Sequence, residues 1–166
     1  MRPASIALLL LVASSTVWAQ APRIERVDIV DYGIYESSVT RRIEDSKAAG
    51  GSRSGVQMIK IKERTSSIQA HRGLQFGIRF FVVGEPKEAE VKLKFVTRFP
   101  VQGMRNATAG VTSYRNEYAG AAKVGWADFF GYSFDEDWEM VPGVWTFEVW
   151  DGERKLVEQS ITVAIP

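Results

Sequence analysis

Leu74-Gln75-Phe76-Gly77-Ile78-Arg79-Phe80-Phe81-Val82-Val83 is the stretch that decides the fold class. Leu74, Phe76, Ile78, Phe80 and Val82 recur at every second residue, the period of a strand that buries one face. Arg79 and Gln75 fall on the other face, and Gly77 leaves a gap there. Phe81 and Val83 break the polar alternation, which predicts that the far end of this strand is covered on both sides. Gly73 before it and Gly84-Glu85-Pro86 after it are turn-forming residues that bound the strand.

The same period recurs on either side. Val91, Leu93, Phe95, Thr97 and Phe99 alternate with Glu90, Lys92, Lys94 and Arg98 until Pro100 stops the run, predicting a strand with a charged solvent face. Upstream, Val56–Glu63 sets Ile59 and Ile61 against Lys60 and Lys62. Ile24–Tyr35 reads as the first strand, with a change of phase at Val30-Asp31 that requires a bulge. Near the C-terminus, Trp145, Phe147 and Val149 precede Asp151-Gly152, a hairpin signal, and Leu156, Ile161, Val163 and Ile165 return. Leu156 and Ile161 are an odd number of residues apart, so a bulge is expected near Glu158–Ser160. Val124–Phe134 is strand-like and rich in aromatic residues. Between Val101 and Gly125 the pattern is weak, with a strand expected near Val111–Tyr118 and a run of small residues from Ala119 to Ala122. Ser37–Gly55 is poor in large apolar residues and centres on Gly50-Gly51, so it reads as a long flexible loop after the first strand, with a helical turn across Arg41–Ala49. About seven short strands and no long amphipathic helix give an all-β chain, a two-sheet antiparallel sandwich.

Residues 1–19 read as a secretory signal peptide. Arg2 supplies the positive start, Ile6–Val12 the apolar run, and Val17-Trp18-Ala19 the small residues before a cut. The apolar run is too short for a membrane span and no cysteine follows it to carry a lipid. The remainder, 20–166, is expected to be one domain, released without a stable membrane anchor into the periplasm or the medium. The 166 residues hold 21 Lys and Arg against 20 Asp and Glu, with one His and no Cys. Loss of Arg2 with the leader balances the charges, so no nucleic-acid footprint is expected. Absence of Cys rules out disulfides, thiolate metal sites and a cysteine nucleophile.

Candidate sites are sparse. His71 is the one imidazole and lies in a polar stretch, where it reads as a surface residue. No G-x-S-x-G elbow occurs. Asp135, Glu136, Asp137 and Glu139 crowd one turn, but lack the spacing of a calcium loop and read as a solvated turn. Arg41, Arg42, Lys47 and Arg53 are interrupted by Glu44 and Asp45 and read as a solvated loop. Trp126, Phe129, Phe130, Tyr132, Phe134, Trp138, Trp145 and Trp150 concentrate in the C-terminal third, mostly as core. Trp138 falls in a turn and Trp150 on the face opposite Trp145, so these two are the candidates for contact with a partner or glycan. No catalytic residue, metal or cofactor is assigned.

Three segments carry a resemblance: Leu74–Phe80 (LQFGIRF), Gly131–Trp150 (GYSFDEDWEMVPGVWTFEVW) and Ile161-Thr162-Val163. With them the chain resembles a bacterial exported family known as domain of unknown function 3859. The resemblance runs from the first strand to the C-terminus, and Val141-Pro142-Gly143-x-Trp145 is its most specific part. It implies an immunoglobulin-like sandwich and an exported location, and brings no catalytic residues. The expectation is therefore a non-enzymatic binding or interaction module of the envelope, meeting an envelope protein or glycan. Two alternatives stand beside it: a hydrolase using Asp135 and Glu139 as an acid/base pair, and a structural spacer or assembly subunit that works through its sheet edges.

Overall fold

The structure is a computed structural model that describes residues 21–44 and 52–166, with backbone alone over 37–44 and 52–58. The signal peptide expected at the N-terminus lies outside the described residues. In chain order the strands are β1 (Arg23–Glu44), β2 (Ser52–Arg64), β3 (Ser67–Gln69), β4 (Gln75–Glu85), β5 (Glu90–Arg98) and β6 (Met104–Asn106). They continue with β7 (Val111–Ser113), β8 (Arg115–Lys123), β9 (Ala127–Ser133), β10 (Gly143–Asp151) and β11 (Arg154–Ala164), with a 3-10 turn at Asp137–Glu139 between β9 and β10.

One sheet runs β2-β1-β4-β9 and the second runs β3-β11-β10-β5-β8, while β6 and β7 form a separate small hairpin. All pairings are antiparallel apart from β3 with β11, where Ile68 sits opposite Val163. The alternating residues of β4 meet those of β5, β10 and β11 across the interface. Phe76, Ile78, Phe80, Val82, Trp145, Phe147, Val149 and Ile161 are all sealed from solvent. Phe76 lies edge-on to Trp145 and Phe147, with ring centroids 5.4 and 5.6 Å away, and Phe130 meets Phe147 in the same way at 5.4 Å. Truncating one such ring to alanine costs about 3–5 kcal/mol.

The bulge expected in β1 is present: Ile29 pairs with Phe80 and Asp31 with Arg79, leaving Val30 as the extra residue. The bulge in the final hairpin sits elsewhere than expected. Val149 pairs with Val157 and Trp150 with Lys155, so Leu156 is the extra residue, next to the turn rather than at Glu158–Ser160. Placing it there keeps the ladder regular from Val157 to Val163. The loop expected over Ser37–Gly55 is also shorter than its composition suggested. β1 and β2 remain paired out to Glu44 opposite Ser52, and residues 45–51 lie outside the described residues. Strand pairing there propagates outward from the anchored base of the hairpin through backbone hydrogen bonds, which need no apolar side chains. Arg41–Glu44 is accordingly strand, where a helical turn was expected. The polar Thr65–Arg72 segment contains the short strand β3, for which three residues gave no periodic signal.

Candidate functional site

The acidic turn is a structural device. Glu139 is buried, and its Oε2 accepts the N–H groups of Asp135 at 2.6 Å and Glu136 at 2.9 Å, while Oε1 accepts the Tyr132 hydroxyl at 3.0 Å. Burial pushes the Glu139 carboxyl above the ordinary value, and these three donors pull against that shift. Burial, with the Glu139 charge beside it, also pushes the Tyr132 hydroxyl up. Glu136 turns outward to Arg72 at 2.6 Å. Asp135 and Asp137 are exposed. Both Glu139 oxygens thus hold the loop together, a different use from an acid/base pair with Asp135. Among the described residues no group of three or more metal-ligating side chains converges.

His71 and Asp135 line a cleft of about 280 Å³ together with Ser133, Gln75 and Lys62. The His71 Nδ1 lies 3.0 Å from the Arg72 carbonyl. Among the described residues no hydrogen bond joins His71 to Ser133 or Asp135, so the cleft collects these groups without coupling them.

Trp138 is half-buried and packs against the hydrophobic core. Trp150 is half-buried on the outer face of the five-stranded sheet, flanked by the Lys94 ammonium at 5.1 Å and the Lys155 ammonium at 5.5 Å from its ring centroid. Its indole N–H donates to Glu148 Oε2 at 2.9 Å. Trp138 precedes β10 and Trp150 stands near the end of that strand, roughly 20 Å further along at ~3.3 Å per residue. The structure does not gather them into one surface. Glu148 beneath Trp150 is buried and pairs with Arg98 at 2.7 Å and Lys155 at 3.8 Å. Burial alone would push its carboxyl up; the hydrogen bonds from Arg98 and Trp150 and the charges of Arg98 and Lys155 outweigh this and hold it below the ordinary value.

Asp31 is a third buried carboxylate, one that the sequence pattern does not single out. On the outer face of the four-stranded sheet, Asp31 accepts hydrogen bonds from the Tyr35 hydroxyl and, at 2.5 Å, from Arg79, with Arg64 3.7 Å away. The Phe129 ring meets Tyr35 edge-on at 4.7 Å. Room for that ring comes from Gly131, where an added Cβ would lie 2.3 Å from Phe129 Cζ and 2.4 Å from the Phe76 carbonyl oxygen. The signal available in the sequence was an acid placed directly after a bulge inside an apolar strand. Its partner on β4 depends on strand order, which the sequence does not specify.

The exposed apolar side chains are more concentrated. Val101, Tyr114, Val111 and Val144 are 94%, 61%, 54% and 52% exposed. They belong to adjoining segments at the end of the sandwich where β5 leaves and β10 begins. Phe99 N–H donates to the Tyr114 carbonyl at 3.0 Å, Gly103 N–H to Pro100 at 2.8 Å, and the Gln102 amide to Pro142. Gly143 abuts Pro100, and Gly103 abuts the Tyr114 ring. Trp126, also exposed, stands apart from them in the β8–β9 turn with Lys123 at 5.9 Å from its ring centroid.

A family model described as "Domain of unknown function (DUF3859)" matches residues 23–163. The chain belongs to the DUF3859 family. The matched segment begins at the first residue of β1 and ends one residue before the close of β11, so DUF3859 corresponds to the whole sandwich. In fold, this DUF3859 chain is similar to an immunoglobulin-like protein of Pseudomonas aeruginosa known from a crystal structure. The TM-score is 0.59 at 24% identity, over 87% of this chain and 98% of that one. No curated protein matches it. DUF3859 here is thus an immunoglobulin-like β-sandwich.

Proposed function

We propose that the chain is a non-enzymatic binding or interaction module exported to the bacterial envelope, working in the periplasm or outside the cell. The observation that carries this reading is the group Val101, Val111, Tyr114 and Val144, apolar side chains exposed to solvent on strands and turns of the sandwich. Large apolar side chains exposed in one region of a fold are a common mark of an interaction site. An envelope protein fits such a surface. Trp150, with a lysine ammonium at either side of its ring, supplies a second contact suited to a glycan or an acidic segment. Trp138 contributes indirectly, by packing the loop before β10 onto the core.

Two measurements test the reading. Cell fractionation with N-terminal sequencing should recover a chain cut after Ala19 from the periplasm or medium, and a full-length cytoplasmic chain would refute export. Crosslinking in native envelope extract, followed by mass spectrometry, should identify a partner for the wild-type protein. That partner should be lost in a Val101→Ser, Tyr114→Ser, Val144→Thr variant of unchanged melting temperature. No partner for the wild type in repeated experiments, together with no binding on a glycan array, would refute the interaction role.

A further inference from the structure

The free edge of the five-stranded sheet is β8, a nine-residue strand paired with β5 in unbroken register from Glu90 opposite Lys123 to Arg98 opposite Arg115. Two backbone bonds fix the phase of that ladder: Phe99 N–H to the Tyr114 carbonyl and Val124 N–H to the Ala89 carbonyl, both 3.0 Å. Hydrogen bonding alternates along an antiparallel strand, so Asn116, Tyr118, Gly120 and Ala122 bond to β5. Glu117, Ala119 and Ala121 turn their N–H and C=O groups toward the open side. A long, regular, uncovered edge is a template for another strand unless charges, bulges or proline blunt it. Two of the other sandwich edges are blunted by irregularity or shortness. β2 carries register shifts and Lys60, Lys62, Glu63 and Arg64, and β3 is three residues long. β9 holds a single charged residue, Asp128, and so nothing that would select a register with a copy of itself.

The charges of β8 do select one. If two β8 strands run antiparallel about a two-fold axis at Gly120, Ala119 faces Ala121 of the second copy and Glu117 faces Lys123, each pairing occurring twice. The two glycines meet at the centre; within each copy Gly120 leaves room for the Phe95 ring, which an added Cβ would meet at 2.8 Å. Shifting the axis to Ala119 sets Arg115 against Lys123, like charges directly opposed, which is unfavourable. Glu117 and Lys123 are both loosely held: the Glu117 carboxylate is 3.8 Å from Arg115 and the Lys123 ammonium is 5.9 Å from the Trp126 ring. We infer that two copies of this chain pair through β8 about Gly120, joining two five-stranded sheets into one of ten strands. This edge adjoins the apolar end of the sandwich at Tyr114, the residue before β8.

The purified protein at increasing concentration in sedimentation velocity should pass from monomer to dimer. Glu117→Lys and Lys123→Glu should each weaken the dimer about tenfold or more, since each places two like-charge pairs across the axis. The double reversal Glu117→Lys, Lys123→Glu should recover the wild-type dissociation constant to within about threefold. Ala119→Pro removes an N–H that β5 does not use and should yield a monomer with the circular dichroism of the wild type; if that variant fails to fold, the charge reversals decide alone. A wild-type monomer at roughly 100 μM, a dimer that survives Ala119→Pro, or a double reversal no tighter than the singles would each overturn the inference.

Discussion

Replacing Asp31 with alanine tests whether the outer face of the four-stranded sheet is held by one carboxylate. Asp31 is 1% exposed and Tyr35 3%, so removing the carboxylate strands the Tyr35 hydroxyl without an acceptor and Arg79 without its ion pair. A buried hydroxyl left unpaired costs about 1–3 kcal/mol, and breaking a buried ion pair costs about 3–5 kcal/mol. The Arg79 side chain is 36% exposed, so water recovers part of the second figure. The net expectation is about 3 kcal/mol, which for a chain of this size lowers Tm by roughly 6–12 °C. Urea unfolding followed by tryptophan fluorescence should show a lower midpoint with an unchanged slope. Tyr35→Phe removes the hydroxyl that Asp31→Ala would leave unpaired, so the double variant should be less destabilised than the sum of the singles by about 1 kcal/mol or more. An Asp31→Ala protein within about 2 °C of wild type, or strictly additive effects in the cycle, would falsify the account of this cluster.

Glu139→Ala should cost about 2 kcal/mol through loss of the Asp135 and Glu136 N–H acceptor, while Glu139→Gln keeps an oxygen for both and should melt within about 3 °C of wild type near neutral pH. Because the folded-state value of Glu139 is raised, its ionisation opposes folding: its contribution is full below the ordinary carboxylate value and falls as pH rises through the raised one, and Glu139→Gln should flatten that slope. Glu148 has the opposite sign, with stability present above its ordinary value and lost as pH falls through the depressed one. Glu148→Gln should therefore be less stable by about 1 kcal/mol at pH 7, with the gap closing on acidification, as followed by thermal melts across pH. Gly131→Ala should destabilise by about 1–3 kcal/mol despite adding only a methyl group, because the Phe76 carbonyl that it meets is backbone and cannot rotate away; a melt unchanged within error would contradict the packing.

Where one face of a strand is buried and the other wet, the residues announce it. Leu74 to Val82, Val91 to Phe99 and Trp145 to Val149 were legible because a period of two survives without knowledge of the partner strand. The bulge at Val30 was legible for the same reason, since it interrupts that period. What the residues did not show depends on partners distant in sequence. β3 owes its existence to β11, some 95 residues away, and the arms of the β1–β2 hairpin are held by backbone bonds that leave no trace in side-chain type. The same boundary applies to the candidate site residues. Strand phase and turn position single out Trp138 and Trp150, but give only the face of a residue and neither its neighbours nor its cover. The apolar end at Val101 and Tyr114 fell in the segment with the weakest period. Glu139 read as one more solvated acid because its donors are backbone groups of its own turn.

The last strand made, β11, does not lie at the margin of its sheet: it stands between β10 and β3, and it sets Ile161 and Val163 into the shared core. A nascent chain lacking its final dozen residues therefore has a sheet with a missing interior row, and β3 has nothing to pair with. Pairing of β3 must await β11, some 95 residues later, and such long sequence separations put this sandwich among the slower-folding topologies. The five-stranded sheet is thus completed only once β11 has been made, whereas every strand of β2-β1-β4-β9 precedes it in the chain and can pair earlier.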